Sequence, residues 1–305
     1  MKRVTGLLVS AAFILSAGAT GFAATDSTEP GWKFDASLWR SDGEAGFEEG
    51  DFWGIFSTLE YPLDGEMGEV RAEYRHRLDS GGIPSFIVIR GSYAQSLELD
   101  GTSTDRDYDD YGSEINYSES DNEGEATIWS ADLMFLVQMS PSFEAGVFAG
   151  YGEHSYEFED DNLYYSYNYG ADAGFVPGPI STYDADFTGL RAGLIATLTP
   201  SERLSLSAEW AMMPSLEAEA EGFWMLRDYP FWQEAEGVGN VVKVTSSYSL
   251  LENLDVFAGL RWVSLIAEDG TEDGILDGQY YFGEEIVEEI TSDYVGAEIG
   301  VSLQF

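Results

Sequence analysis

The 305-residue chain carries 56 Asp and Glu against 14 Lys and Arg, a net charge of −42, and has no cysteine. So few basic residues exclude a face for nucleic-acid phosphates, and the lack of thiols excludes disulfide scaffolds and thiolate zinc sites. With 44% hydrophobic and 14% aromatic residues, the chain is too apolar for a disordered protein. The composition therefore predicts a folded, acidic protein.

Residues 1–23 have the pattern of a secretory signal peptide. Lys2 and Arg3 form a basic start, residues 7–15 are apolar, and small residues at 21 and 23 precede the expected cleavage point. This apolar run is too short to span a bilayer. We expect residues 24–305 to be exported as a single domain with a net charge of −44, because the leader removes two positive charges and no acid.

Apolar and polar residues alternate through the exported chain. The odd positions from Val295 to Phe305 are apolar or small, whereas the even positions between them are polar or glycine. A period of two predicts a β-strand with one apolar face. Ten such strands are predicted, with the second interrupted near Gly65 and Gly68. Their ranges are 31–42, 52–77, 84–98, 125–139, 143–158, 184–199, 203–220, 237–250, 253–267 and 291–305.

The connections between these strands are of two kinds. Short turn signals at 140–142, 200–202 and 252–253 join alternate pairs, whereas the segments 98–125 and 268–293 hold eleven and ten acids. Short turns at one end and long polar loops at the other are typical of bacterial outer-membrane barrels. The sequence predicts an all-β, ten-stranded antiparallel transmembrane β-barrel with long acidic extracellular loops, located in the bacterial outer membrane after export.

A secreted, soluble β-sandwich would also alternate. Here, however, the face opposite the apolar one is charged along the strand centres, and the chain ends on an aromatic residue. A terminal strand ending in Phe305 is similar to the signal by which outer-membrane proteins reach the barrel assembly machinery. The expected surroundings are outer-membrane lipid, with no nucleic-acid partner.

The polar face should point into the barrel and form a charge network. Buried charges need partners, and the barrel is predicted to be plugged rather than open. The predicted inward charges are Lys33, Asp35, Arg71, Glu73, Arg75, Arg90, Asp132, Glu144, Arg191, Glu209, Lys243, Asp255, Arg261 and Glu298.

The remaining acids should then lie in the loops. Their plain role is solvation or adaptation to salt; the alternative is recognition of cationic peptides or divalent cations. Asp105, Asp107 and Asp109 alternate as Ca²⁺ ligands do, but Asn116 occupies the twelfth position of that segment, which excludes an EF-hand. No cofactor is required, and Ca²⁺ is compatible with the acidic loops.

Several motifs resemble the omptin family of outer-membrane proteases. Residues 57–61 (Ser-Thr-Leu-Glu-Tyr) are similar to the start of the family's second strand, and residues 149–153 (Ala-Gly-Tyr-Gly-Glu) to a segment of its fifth. Asp105-Arg106-Asp107-Tyr108 resembles the family's Asp-x-Asp-Trp. The resemblance implies that Asp105 and Asp107 belong to an active site and that Tyr151 and Glu153 contact lipopolysaccharide, although Ser155 replaces the family's next Arg.

The second catalytic pair of the family, an Asp followed two residues later by a His, is not found at the expected place. Gly222 and Trp224 align with it. A histidine held by an acid is the group that would activate water near neutral pH. His76 is predicted near the periplasmic turn, so His154 is the remaining candidate; a hydrogen-bonded rim residue is its plainer interpretation.

Two functions follow as hypotheses. One is a non-proteolytic surface barrel that binds cations or cationic ligands, or that has a structural role. The other is an omptin-type endopeptidase for basic peptides that uses Asp105 and Asp107, as a carboxyl dyad or with a second pair drawn from Glu219, Glu221 and His154. A small porin-like channel is a third and more distant hypothesis.

Overall fold

The computed structural model describes residues 30–51, 54–78, 83–109, 111–276 and 278–305. The predicted signal peptide lies outside the described residues. Eleven strands are present: β1 (Gly31–Asp51), β2 (Gly54–Pro62), β3 (Gly65–Leu78), β4 (Ser85–Tyr108), β5 (Glu114–Ser140), β6 (Phe143–Tyr167), β7 (Asp172–Ser201), β8 (Leu204–Trp224), β9 (Tyr229–Leu251), β10 (Leu254–Leu276) and β11 (Gln279–Gln304). Within these ranges, no helix is long and apolar enough to cross a bilayer.

The strands form one antiparallel sheet that closes into a ring. From β4 onward each strand pairs with the next, and β11 pairs with β1. At the seam, Trp32 N donates to Phe305 O (3.0 Å) and Phe305 N donates to Trp32 O (2.8 Å). Because β2 and β3 together fill one position between β1 and β4, the barrel has ten positions. The predicted ten-stranded barrel is confirmed.

The break between β2 and β3 lies where the sequence predicts an interruption. β2 ends at Pro62, which has no N–H to donate to a ladder. β3 begins at Gly65, where a Cβ atom would lie only 2.3 Å from the carbonyl oxygen of Glu98. A glycine therefore lets the two backbones approach at this point.

The outer surface of the barrel carries an apolar belt. Leu190, Leu260 and Ile299 are each about two-thirds exposed, which is expected of side chains that face lipid. Aromatic pairs flank the belt: Trp32 packs against Tyr74 at the edge where Phe305 lies, and Trp129 lies 5.8 Å from Tyr151 at the opposite edge. These features define a wall that spans a membrane.

The predicted long acidic loops are strands for most of their length, which corrects the predicted strand ends. β4 continues to Tyr108 and β5 begins at Glu114, so most of the segment 98–125 is a two-stranded ladder. The same holds for β6 with β7 and for β10 with β11. Beyond the belt the polarity of the two faces is reversed: inward side chains such as Tyr156 and Phe158 are apolar and buried, whereas outward ones such as Glu157 face water. The apolar pattern of the belt therefore ends although the hydrogen-bonded ladder continues.

A row of glutamates crosses five adjacent strands on the outer face of this extension. Glu217, Glu236, Glu268, Glu289 and Glu48 are consecutive cross-strand partners. Partial burial, and next the Glu48 and Glu268 carboxylates, raise the pKa of Glu289. Like charges directly opposite each other destabilise a sheet, so the row weakens the extracellular wall.

Replacing Glu268 by Gln should stabilise this wall, because it removes the repulsion with both Glu236 and Glu289. At low salt we expect slower amide hydrogen exchange around residue 268, because the free energy of local opening should rise by about 0.2–1 kcal/mol for each relieved pair. The gain should fade at 1 M salt, where the Debye length is about 3 Å. Glu252→Gln, in the turn between β9 and β10, is the control; an equal or salt-independent gain there would contradict the explanation.

Candidate functional site

A buried ion network fills the barrel within the membrane belt. One centre is Arg90, which is only 4% exposed and whose guanidinium contacts Asp132 (2.7 Å) and Glu209 (2.6 Å). Arg191 reaches the same two carboxylates, at 3.2 and 3.4 Å. Two guanidinium groups and two carboxylates thus neutralise one another, as burial requires.

Glu69 is the second centre of the network. Its carboxylate pairs with Arg71 (3.0 Å), with Lys243 (3.9 Å) and closely with Arg261, and Lys243 also contacts Glu298 (2.8 Å). Glu69 was not among the predicted inward charges. The alternation of the strand does indicate it, because Glu69 and Arg71 are two residues apart on β3 and therefore face the same side.

The other predicted inward charges lie in the same interior. Arg75 pairs with Glu144, Lys33 lies 3.6 Å from Asp35, and Asp255 accepts a hydrogen bond from Gln304 Nε2 (3.1 Å). Glu73 is the cross-strand partner of both Lys33 and Arg90. All predicted members therefore line one continuous polar interior.

Replacing Glu69 by Gln should destabilise the barrel strongly, because three basic groups would lose a buried partner. We expect a loss of about 3–5 kcal/mol, measured by urea unfolding from lipid vesicles. Glu73→Gln, four residues along the same strand and partly exposed, is the matched control. Equal losses in the two variants would show that the ion pairs of Glu69 have no special role.

An aromatic layer lies above the ion network. Trp39 packs over the Arg261 guanidinium (4.5 Å). Further out, Tyr61 stacks between Phe158 and Tyr183, with ring centroids 4.5 and 5.2 Å apart, and Phe47 contacts Tyr183 (5.2 Å). This layer separates the membrane interior from the extracellular end of the barrel.

A cavity of about 350 Å³ opens above the aromatic layer. Its charged lining consists of Glu49, Asp105, Asp107, Glu272 and Arg227, and neither histidine of the chain is among the residues that line it. Much of the remaining wall is apolar and includes Phe47, Leu59, Leu163, Ile180, Trp224 and Phe231. Four carboxyl groups therefore face one guanidinium in a largely apolar chamber.

Asp105 and Asp107 lie on one face of β4, two residues apart, so their Cα atoms are about 6.6 Å from each other. They pair across the sheet with Leu59 and Ser57, in the segment 57–61 that resembled omptins. Asn116 Nδ2 donates to Asp107 (2.8 Å). Burial, and next the Asp107 carboxylate, raise the pKa of Asp105 to about 7.

Glu49 and Glu272 form a second carboxyl pair in the cavity. Gln233 Nε2 donates to Glu272 (2.9 Å) and lies 3.4 Å from Glu49, and Tyr229 OH donates to Glu272 (2.8 Å). Burial raises the pKa of Glu49 well above its usual range, and the hydrogen bond with Glu272 raises it further. The two acids come from strands far apart in sequence, so no local motif revealed them.

The structure does not bring His154 to the aspartates. Asp105 is level with Ser118 and Tyr165 in the ladder, eleven residues from His154 along β6, which is roughly 36 Å of strand. His154 is 6% exposed, and its Nδ1 lies 3.5 Å from the hydroxyl of Tyr156. It therefore belongs to the aromatic layer and not to the cavity.

The other predicted partners are also elsewhere. Glu219 and Glu221 point to solvent from the outer face of β8, opposite Asp186 and Asp184. Asp109 accepts hydrogen bonds from the backbone of its own turn and from Tyr169, so it does not join Asp105 and Asp107 around a common point. Across the described ranges, no three His, Asp or Glu side chains are placed to hold a metal ion.

The residues expected to meet lipopolysaccharide lie at the outer edge of the belt. Tyr151 is exposed to the outside and stacks obliquely on Trp129. Glu153 is the cross-strand partner of Trp129. Both therefore occupy the level at which the lipid-facing wall becomes polar.

The closed wall, the apolar belt and the charged interior define an outer-membrane β-barrel protein. The model of the Omptin family matches residues 83–278, more than half of the chain. The chain belongs to the omptin family, and family and fold together imply the bacterial outer membrane. No curated protein sequence matches the chain.

Among three of the matching solved structures, one agrees in fold. The outer membrane protease OmpT from Escherichia coli matches with a TM-score of 0.80 at 16% identity, covering 94% of this chain and 99% of OmpT. The translocator domain of the autotransporter NalP from Neisseria meningitidis gives 0.36 at 12% identity, covering 99% and 98%. The toluene transporter TodX from Pseudomonas putida gives 0.31 at 10%, covering 90% of each chain. The first likeness shows the fold alone, and the other two are too weak to carry an argument.

Replacing Asp107 by Asn should lower the pKa of Asp105 from about 7, because it removes the second-largest cause of the rise. Carboxyl NMR of the barrel in detergent micelles would measure this titration.

A raised pKa of Asp105 also means that protonation favours the folded cavity. The stability that this group contributes is full below pH about 4 and is lost as pH rises through about 7. Asp105→Asn should flatten that dependence; an unchanged profile would contradict the assignment.

Proposed function

We propose that this omptin-family barrel binds cationic side chains of peptides at the cell surface without cleaving them. The observation that carries the proposal is the excess of carboxyl groups in the cavity, where Glu49, Asp105, Asp107 and Glu272 face Arg227 alone. These carboxyl groups outnumber the base four to one in a chamber of low polarity, so a cationic guest would stabilise their ionised forms.

The shape of the cavity suits a long basic side chain. Phe47, Leu59 and Phe231 offer apolar surface to an aliphatic stem, while Glu49 and Glu272 offer oxygen acceptors to its charged head. Arg and Lys combine such a stem and head. A neutral side chain of the same length would not stabilise the ionised forms of these carboxyl groups.

The surroundings of the aspartates support binding rather than hydrolysis. At Gly222, one of the two positions that align with the family's second catalytic pair, a Cβ atom would meet the Phe231 ring at 2.0 Å. At the other, Trp224 presents an indole to the cavity. An imidazole that could activate water is thus not supplied by any residue lining the chamber.

The test compares two tripeptides that differ only in charge, one with a central arginine and one with citrulline. Refolded barrel in detergent should bind the arginine peptide tighter by isothermal titration calorimetry. Glu49→Gln/Glu272→Gln should weaken arginine binding about tenfold or more, since hydrogen bonds to charged groups contribute about 1.5–3 kcal/mol. Glu289→Gln on the outer wall is the control. Equal affinity for citrulline would refute the proposal.

An endopeptidase is the second candidate, and the pKa of Asp105 near 7 favours it. If Asp105 held a proton that Asp107 lacked, the pair would have the division of roles of an aspartic dyad. Asp107 would take a proton from water, whose oxygen attacks the peptide carbonyl carbon, while Asp105 gives its proton to the carbonyl oxygen. When that intermediate collapses, Asp107 would give its proton to the amide nitrogen as the C–N bond breaks, and Asp105 would take back a proton from a hydroxyl of the intermediate as the carboxyl product forms.

Mass spectrometry of the same incubations separates the two candidates. Intact peptide at the end of the titration supports binding alone. Cleavage next to arginine, abolished in Asp105→Ala/Asp107→Ala but retained in Glu289→Gln, would establish the endopeptidase instead.

A further inference from the structure

Two aromatic side chains project into solvent near the tip of the extracellular extension. Tyr164 on β6 is 53% exposed, and its cross-strand partner Phe175 on β7 is 49% exposed. Their ring centroids are 4.6 Å apart. Glu119 on β5 is the partner of Tyr164 on the other side and is also exposed. The pair is therefore an exposed aromatic surface beside a carboxylate.

Acids continue from this pair toward the membrane on the same outer face. The cross-strand pairs Asp121–Asp161, Glu123–Glu159 and Glu157–Asp184 follow in successive rows. The sequence has no Lys or Arg between Arg106 and Arg191, so β5, β6 and the outer half of β7 hold no base that could neutralise them. We call this surface, from Tyr164 and Phe175 down to Asp184, the aromatic–acidic wall.

Lipid does not explain the exposed rings. Tyr164 lies thirteen residues beyond Tyr151, which marks the outer edge of the apolar belt, and that interval is roughly 43 Å of strand. Even with a tilt of about 45° the rings stand some 30 Å above the belt. A second copy of the chain does not fit either, because the same wall would bring acids against acids.

A guanidinium group is already bound beside this wall, on the neighbouring strand β4. Arg106 on β4 lies with its guanidinium carbon 5.4 Å from the ring of Tyr117, its cross-strand partner on β5. The same group donates to Glu60 (2.9 Å). An arginine thus lies over a tyrosine ring and bonds a glutamate, two residues along the sheet from the exposed rings of Tyr164 and Phe175.

We propose that the aromatic–acidic wall binds an arginine-rich segment of a partner polypeptide, at a surface separate from the cavity. One guanidinium would stack on Tyr164 and Phe175, and the following basic residues would meet the acid rows. Arginine fits better than lysine because its planar group both stacks on rings and bonds carboxylates in pairs.

The test measures anisotropy of labelled nona-arginine and nona-lysine with the refolded barrel in non-ionic detergent at physiological ionic strength. All variants carry Glu49→Gln/Glu272→Gln, so that loss of cavity binding is not mistaken for loss of the wall. We expect nona-arginine to bind more tightly than nona-lysine. Tyr164→Ala/Phe175→Ala should weaken nona-arginine roughly 5- to 30-fold, from about 0.5–1 kcal/mol for each stacked ring, and affect nona-lysine less.

Two controls keep the result specific. Tyr164→Phe retains both rings and should bind nona-arginine as the parent does. Asp121→Asn/Asp161→Asn should weaken binding more than Glu236→Gln/Glu268→Gln, which removes the same charge from a row without exposed aromatics. Unchanged binding after loss of the rings, or equal loss in both acid pairs, would overturn the proposal. So would ring-dependent self-association in sedimentation, or ring-dependent binding of a neutral oligosaccharide.

Discussion

The need to pair every charge inside a closed wall governs this structure. Once β11 joins β1, inward side chains have no exit to lipid, and Arg90 and Glu69 must each satisfy several oppositely charged neighbours. The resulting network is a fixed platform. Trp39 rests on it through Arg261, the aromatic layer continues outward from there, and the cavity has its floor on that layer. The position of the carboxyl groups at the extracellular end thus follows from charge pairing deep in the membrane.

The chain has two populations of acids that differ in what surrounds them. Inside, Asp132 and Glu209 are matched one for one by arginines. On the outer wall, the glutamates of the row that includes Glu236 and Glu268 are exposed to water and have other glutamates as cross-strand neighbours. The cavity is intermediate, with buried carboxyl groups and a single base. Repulsion tolerated outside would be too costly inside, which is why nearly all of the uncompensated charge lies beyond the membrane.

Sequence periodicity could predict the barrel because lipid and lumen impose opposite polarity on alternate residues, as around Ile299 and Glu298. The same rule identified Arg90 and Asp132. It could not predict how far the strands continue, since beyond the belt water replaces lipid outside and apolar side chains such as Leu99 are buried inside, which reverses the polarity of the two faces. Nor could it find Glu49 and Glu272, which meet only because the sheet closes. The partners supposed for the aspartates, Glu219 and Glu221, are close in sequence to Gly222 and Trp224 but lie on the outer face of the wall.

The break between Pro62 and Gly65 divides one strand position of the barrel into two segments, β2 and β3, with different structural roles. Below it, β3 sets the register of the membrane wall; above it, β2 aligns Ser57 and Leu59 with the two cavity aspartates. A residue gained or lost at the joint would slide the upper piece without disturbing the lower one. Insertions or deletions at this joint can therefore change the extracellular opening of the barrel while the membrane-spanning half keeps its register. A single unbroken strand would not allow the two halves to vary independently.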